Sequence, residues 1–360
     1  MVNTVRNRQA SAQALPGDYL EARSDTIRAV DDRALGPGAS DVACVGILVA
    51  DLFASPIPRL PNPGELTPTA GLVMSVGGSA ANTAAALRIL GQKVEVAGKV
   101  GRDMQGDFVI AELERRGIGV SHIKRTPKRS TSGTIVLSVA GEDRRYLHCI
   151  GANAEFDLND LDRNLVQQAS VLYVGGYLAM PSFTASQLAA LFREAKSYGR
   201  TTVLDVAIPV GAEFALEEVA PALAYTDYFL PNNQEAASLT GYADERRQAK
   251  CLGEVNAECV VVITRGSKGL LALQRNRFID VPPFLMDAVD ESGAGDAFAA
   301  GLIAAVQKKW DLERALLFAA AVGASRTRAL GSAAGIFTFD EATSFLKGKT
   351  SALVPGATLA

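Results

Sequence analysis

The chain has 360 residues, 48% hydrophobic and 21% charged, with 36 basic against 39 acidic side chains for a net charge of −3. That length suits one large α/β domain or two smaller ones, and the near-average composition points away from disorder and from a membrane protein. Charge gives no basic stripe for nucleic acid, four scattered cysteines (44, 149, 251, 259) make no disulfide scaffold, and two histidines leave little material for a zinc cluster or a serine-histidine triad. Reduced cysteines, no apolar stretch of membrane-spanning length and no signal-peptide core at the amino terminus lead us to expect a cytoplasmic protein.

Residues 1–40 are polar and end in Gly36-Pro37-Gly38, so they read as an extension, disordered or carrying one short helix over 18–30. From Asp41 the text turns to Val42-Ala43-Cys44-Val45-Gly46-Ile47-Leu48-Val49, a continuous apolar run expected of a strand buried on both faces, with Asp51 at its end. Similar runs recur at 94–97, 171–174, 202–206, 228–230 and 260–263. Helical patterns at 80–90, 105–116 and 182–198 lie between them, each followed by glycine, the residue suited to the left-handed turn past a helix end. Strands alternating with helices predict a mostly parallel sheet covered on both sides. Stretches 56–76 and 131–149 instead alternate apolar and polar residues, as in Thr134-Ile135-Val136-Leu137-Ser138, and predict hairpin strands forming a small lid over one sheet edge. The domain is expected to occupy 41–348, leaving 349–360 as a tail.

Four clusters carry chemistry. Gly77-Gly78-Ser79-Ala80-Ala81-Asn82 opens an alanine-rich helix, where glycine admits a small ligand and Asn82 offers a polar group on the first turn; packing through small side chains would produce the same text. Pro231-Asn232-Asn233-Gln234-Glu235 follows a strand. Asn232 and Glu235, three apart, share one face of a helical turn, as magnesium-associated groups or as a capping box. Thr264-Arg265-Gly266-Ser267-Lys268-Gly269 follows another strand and suits either nucleotide phosphates or a tight turn. The strongest signal is Asp290-Glu291-Ser292-Gly293-Ala294-Gly295-Asp296, running into a helical pattern. Small residues at a helix amino terminus let an anion reach unpaired backbone N–H groups, and Asp296 then sits in the first turn as a carboxylate able to accept a hydroxyl proton; a glycine turn capping a core helix is the plainer reading. Gly348-Lys349-Thr350 lacks the earlier glycine of a P-loop, and no G-x-G-x-x-G opens a helix after the first strand.

These clusters, in this order over about 41–345, resemble the ribokinase family, the PfkB-type carbohydrate kinases. The resemblance implies a three-layer α/β/α ribokinase-like fold, mostly parallel in its central sheet, with a small β-sheet lid. It implies transfer of the γ-phosphoryl group of ATP, with magnesium, to a hydroxymethyl group of a small ribose- or fructose-like sugar. A nucleoside kinase of the same family and a catalytically silent sugar- or nucleotide-binding regulator are the alternatives. Residue by residue, Asp296 matches the family's base and Gly293, Ala294 and Gly295 its anion hole. Asp51, Gly77, Gly78 and Asn82 match the substrate positions, Asn232, Thr264, Gly266 and Gly269 the ATP positions, and Glu235 the magnesium glutamate. Gly151-Ala152-Asn153-Ala154 is similar to the segment leaving the lid. Asp290 and Ser292, with a later loop at 329–332, match a region where several members hold a monovalent cation such as K+, and relatives often form homodimers through the lid. Glu291 stands where many members carry threonine, and Asp205-Val206-Ala207 where many show Asp-Pro-Asn, a loss of asparagine that weakens any argument for a sugar acid of the ketodeoxygluconate type.

Overall fold

The computed structural model describes residues 41–353 except 143, 210, 330 and 332, so the expected extension at 1–40 and the last seven residues lie outside the described region. The strands are β1 Val42–Gly46, β2 Val49–Ala54, β3 Leu72–Gly77, β4 Val94–Gly101, β5 Gly119–Thr126, β6 Gly133–Leu137, β7 Arg145–Cys149, β8 Val171–Gly175, β9 Thr201–Leu204, β10 Tyr228–Phe229, β11 Val260–Thr264, β12 Leu270–Gln274 and β13 Arg277–Val281. The α-helices are α1 Ser79–Ile89, α2 Met104–Arg115, α3 Arg163–Gln168, α4 Ala185–Ser197, α5 Ala220–Leu223, α6 Asn233–Thr240, α7 Glu245–Val255, α8 Ala294–Gln307, α9 Leu312–Arg326 and α10 Phe339–Leu353. Helix α10 runs through 349–353, residues that the sequence reading assigns to the tail.

The large sheet has the order β13-β12-β11-β10-β9-β8-β1-β4-β5. It is parallel from β5 to β11 and turns antiparallel only at β12 and β13. Its strands are apolar on both faces because both faces are covered. In β1, Val42 and Cys44 join one core cluster while Ala43 and Val45 join the other. The first cluster takes in α1, α2, α8, α9 and α10, and the second α3, α4, α5, α6 and α7. This is the three-layer arrangement expected from the alternation of strands and helices.

A separate four-stranded sheet, β3-β2-β6-β7, makes the lid. Its membership differs from the sequence reading in one respect. The apolar run after Asp41 is two strands, and the second of them, β2, belongs to the lid, so Asp51 lies in mid-strand on the lid rather than at the end of the first core strand. The break has a local cause: Gly46 takes φ +147°, and the buried Asn153 side chain captures both backbone groups of Leu48, accepting from its N–H at 3.1 Å and donating to its carbonyl at 3.0 Å. With those groups committed to a side chain, Leu48 cannot continue the ladder, and the chain leaves the core sheet. Within 56–71 the only pairing among the described residues is the isolated bridge Ile57 to Val139, so of the first predicted lid stretch only 72–76 is strand.

Lid register sorts the side chains into rows. Ser75, Asp51, Thr134 and His148 stand opposite one another across the four strands, and so do Met74, Leu52, Ile135 and Leu147. Successive residues of a strand point to opposite faces, so the first row is a polar line on one face and the second an apolar line on the other. The polar line is a single strip on its face, because the next row on that same face, Val73, Phe53, Val136 and Tyr146, is apolar or aromatic.

Candidate active site

A cavity of about 210 Å³ opens where three adjacent parallel strands end, lined by Asp205 beyond β9, Leu230 and Asn232 beyond β10, and Thr264 at the end of β11. Ser79, Glu235, Phe298, Glu291 and the stretch Gly293 to Asp296 also line it. Open α/β sheets collect ligands at the carboxyl ends of their strands because side chains leave the sheet there and helix amino termini converge on the same edge.

Two helix starts meet in this cavity. Gly293 takes the left-handed conformation, φ +77°, as the cap of α8, so the chain turns from an extended approach into the helix without a β-carbon in the bend. Helix geometry leaves the first amide groups of α8 without carbonyls four residues earlier in the same helix, and a β-carbon built on Gly295 would meet nothing within 4 Å. The turn thus presents donors and open space to an anion. Helix α1 packs against α8 through small side chains. This brings Asn82 to Asp296, where the amide Nδ2 donates to Oδ2 at 2.9 Å, while the Thr83 hydroxyl donates to the Asp296 carbonyl at 3.4 Å. Burial raises the Asp296 pKa to about 6, opposed by hydrogen bonds from the Asn82 and Ser79 side chains and by the charge of Arg326.

Asp296 has two carboxylate neighbours. Glu235 is raised to about 7, by burial and by the charge of Asp296. Asp205 is raised well above the ordinary carboxylate range, by burial first and then by the charges of Glu235 and Asp296, although the buried Tyr173 hydroxyl donates to its Oδ2 at 3.1 Å. Three acids facing one small space repel one another, and such a space favours a bound cation. Among the described residues no three His, Cys, Asp or Glu side chains are grouped closely enough to hold a metal by themselves. The donor set fits magnesium held partly through water and phosphate oxygens, the manner in which that ion usually binds beside nucleotides.

The two readings of the Asn232 cluster coexist. Asn232 caps α6, its Oδ1 accepting from the amides of Gln234 and Glu235 at 2.9 Å each, and Glu235 Oε2 accepts from the Asn232 amide at 2.8 Å. This reciprocal capping box leaves the second Glu235 oxygen available, and both residues also line the cavity. Thr264 reaches it too, joined to Asn232 by a parallel bridge. Gly266 and Gly269 are not among the lining residues. They shape the β11–β12 turn, where a β-carbon on Gly269 would fall 2.1 Å from the Val281 carbonyl oxygen.

On the lid side, Asp51 lies against Gly77, where an added β-carbon would sit 2.0 Å from Asp51 Oδ2. Gly78 takes φ +94° beside the Ile47 carbonyl as α1 begins. Burial pushes the Asp51 pKa up to about 6 against a hydrogen bond from Thr134.

Asp290 is placed differently from the open cation position that the sequence suggests. Its side chain is 2% exposed and lies between two arginines, Arg144 Nη1 at 2.7 Å and Arg326 Nη2 at 3.3 Å, and it accepts from the Ser292 and Gly331 amides at 3.0 Å each. Burial works against its charge, but these hydrogen bonds and the Arg144 charge hold its pKa below the usual carboxylate range. The Asp290 carboxylate is thus already engaged by two guanidiniums and two backbone amides. Ser79 and Asp205 stand in the sequence reading without a site role, and Arg144 and Arg326 have none there either. Ser79 was visible inside a glycine motif, whereas the two arginines lie far from any motif and carry no local signal.

An α/β/α domain with a separate four-stranded lid, and a cavity lined by a helix start with a carboxylate in its first turn, suits a small-molecule phosphotransferase. Residues 39–337 match the family model described as pfkB family carbohydrate kinase. The chain is 30% identical over 290 residues to a deoxyribokinase of Salmonella typhi, covering 78% of this chain and 91% of that one. It is 27% identical over 310 residues to a ribokinase of Haemophilus influenzae, covering 84% and 97%. Its fold is that of an Arabidopsis thaliana ribokinase solved with ribose and ATP, at a TM-score of 0.72 and 23% identity, covering 86% of this chain and 99% of that one. The chain belongs to the pfkB family of carbohydrate kinases, and it is a sugar kinase.

Proposed function

We propose that this kinase transfers the γ-phosphoryl group of ATP to a hydroxymethyl group of a small ribose- or fructose-like sugar, with Asp296 as the general base. The observation that carries the reading is the Asp296 carboxylate itself, in the first turn of α8, held by Asn82 and Ser79 at the mouth of the anion turn, with a pKa of about 6. At neutral pH it is ionised, yet basic enough to accept a proton as the acceptor oxygen attacks phosphorus. Phosphoryl transfer leaves the protein little covalent work, so positioning and charge dominate. The amides around Gly293 and Gly295 would face the oxygens on which negative charge gathers, while the Ala294 amide donates to the Glu291 carbonyl at 3.2 Å and would have to turn from it to join them. Magnesium, when bound, neutralises phosphate charge, and Glu235 with Asp205 would hold it, Glu235 through its oxygen not engaged in the capping box. Asn232 and Thr264 would orient the nucleotide. Gly266 and Gly269 act one step back, by shaping the turn after β11.

The sugar would lie between the polar lid row and Asp296. Asp51 is the principal hydroxyl acceptor in this reading: a desolvated carboxylate gains most from a hydroxyl that donates to it. Gly77 and Gly78 keep side chains out of that space, and Asn82 bridges sugar and base. The similarity to a deoxyribokinase and a ribokinase supports a pentose-sized acceptor.

On its other face the lid exposes Met74, Ile135 and Leu147 in one row, with Leu72 beyond them at the start of β3. We read this face as the contact of a homodimer, since apolar residues aligned across a sheet gain by covering one another. The four cysteines are free thiols, and among the described residues no helix is long and apolar enough to cross a membrane; a reducing cytoplasm suits both.

A panel of pentoses, hexoses and nucleosides, assayed for ATP-dependent phosphorylation, tests the assignment. Turnover highest on ribose, 2-deoxyribose or fructose supports it, and preference for a nucleoside overturns it.

A further inference from the structure

Asp290, Arg326 and Arg144 join three parts of the molecule that are distant in sequence. Asp290 begins the turn that leads through Ser292 and Gly293 into α8. Arg326 is the last residue of α9, and Arg144 immediately precedes β7 in the lid connection between β6 and β7. The Arg326 side chain is 0% exposed and spans two acceptors, donating from Nη1 to the Ala329 carbonyl at 2.7 Å and from Nη2 to Asp290 Oδ2 at 3.3 Å. Arg144 takes the other oxygen, Asp290 Oδ1, at 2.7 Å and approaches the Ser292 hydroxyl at 3.5 Å. One carboxylate thus faces two guanidiniums.

We propose that Arg326 is a built-in cation, which fixes the anion turn through Asp290 and makes the kinase independent of any inorganic monovalent ion. A carboxylate and a nearby carbonyl at the foot of a phosphate-binding turn are hard oxygen ligands of the kind that a monovalent cation takes. Here one fixed organic cation already bridges them. With Arg144 the group carries a net charge of +1, so a further metal ion would enter a buried site against two like charges and would have to displace N–H donors already engaged. Arginine suits the place because its planar fork reaches carboxylate and carbonyl together and stays charged when buried. The arrangement has a cost: Arg326 Nε is buried with no hydrogen-bond partner among the described residues. An apolar residue would pack there more cheaply, so the charge serves Asp290.

Arg326 acts through Asp290, which accepts from the Ser292 and Gly331 amides and so sets the path of the turn carrying Gly293 to Gly295. It is a positioning residue. Arg144 adds a contact from the lid, so the same carboxylate also feels whether the lid hairpin is in place.

The inference rests on the sugar-kinase assignment only for its activity arm. The full chain is compared in potassium, sodium and choline chlorides at matched ionic strength, reading both thermal midpoint and initial rate on the acceptor selected by the panel. Equal midpoints and rates across the three salts are expected. A potassium-specific rise in midpoint, or activation over choline by more than about tenfold, overturns the proposal. If no sugar is turned over, the midpoints decide alone, so failure of the acceptor assignment is distinguishable from failure of this one. Arg326→Ala should lose rate, regain part of it when guanidinium chloride is added at low concentration, and acquire a saturable response to potassium; Arg326→Lys should retain more rate than Arg326→Ala. Loss of rate in Arg326→Ala with neither rescue means a merely structural arginine and rejects the idea. Should Arg326→Ala not fold, Arg144→Gln carries the test: with Arg326 intact, its rate must stay indifferent to the choice of cation, and potassium activation would count against the proposal.

Discussion

Asn82 Nδ2 donates to Asp296 Oδ2 at 2.9 Å, a bond between the first turns of two helices that lie 214 residues apart. It ties the start of α1 to the start of α8 and holds one oxygen of the carboxylate, to which the Ser79 side chain also hydrogen-bonds.

Asp296→Asn should fold with a thermal midpoint near that of the parent and lose on the order of 10²–10⁴ in kcat, the usual contribution of a general base. Steady-state kinetics on the best acceptor checks it, and unchanged turnover would remove Asp296 from the mechanism. The pH profile gives a second reading. Burial raises the Asp296 pKa to about 6 and the Asn82 bond lowers it, so the parent should lose activity as pH falls through about 6, and Asn82→Ala should move that limb to higher pH. A limb unmoved in Asn82→Ala would disconnect the two residues.

Gly77→Ala places a β-carbon 2.0 Å from Asp51 Oδ2, so the aspartate must swing away while the backbone stays. Losing one charge-assisted hydrogen bond to a hydroxyl should raise KM for the sugar by about 10- to 100-fold with KM for ATP little changed. Equal effects on both substrates would argue that Asp51 does not meet the sugar.

The carboxylates of Asp205, Glu235 and Asp296 all have folded-state pKa values above their ordinary ones, Glu235 at about 7 and Asp296 at about 6. The folded state therefore binds more protons than the unfolded chain in that window. The stability that these groups contribute is full at acid pH and is lost as pH rises through 6 to 7. In the absence of magnesium and nucleotide, the thermal midpoint should fall between pH 5 and pH 8 in differential scanning calorimetry. Glu235→Gln keeps the capping box, because glutamine can fill the same role, and should flatten that fall. An identical slope in parent and variant would show that the repulsion is not felt.

Light scattering should give a dimeric mass, and Ile135→Glu, in the apolar row of the lid, should convert it to a monomer without loss of fold. A monomeric parent refutes the lid contact.

Much of the site was legible because its parts are local. Glycine at 293 and 295 before Asp296, and Asn232 three residues before Glu235, are spacings that a helix start turns directly into geometry. The alternation of continuous apolar runs with glycine-ended helical patterns likewise announced a parallel sheet buried on both faces. Three things were decided only by contacts across the chain. The apolar run after Asp41 reads as one strand, and only the Asn153 side chain, 105 residues from Leu48, cuts it in two and sends Asp51 to the lid. Asp205 looks like an ordinary residue at a strand end, until the fold sets two more carboxylates beside it and raises its pKa. The partners of Asp290 come from a lid turn and the end of α9, 146 and 36 residues away. Backbone preference and hydrophobic period act over a few residues and can be read from the text. Which charges meet depends on how whole elements pack, and no short window of sequence contains that.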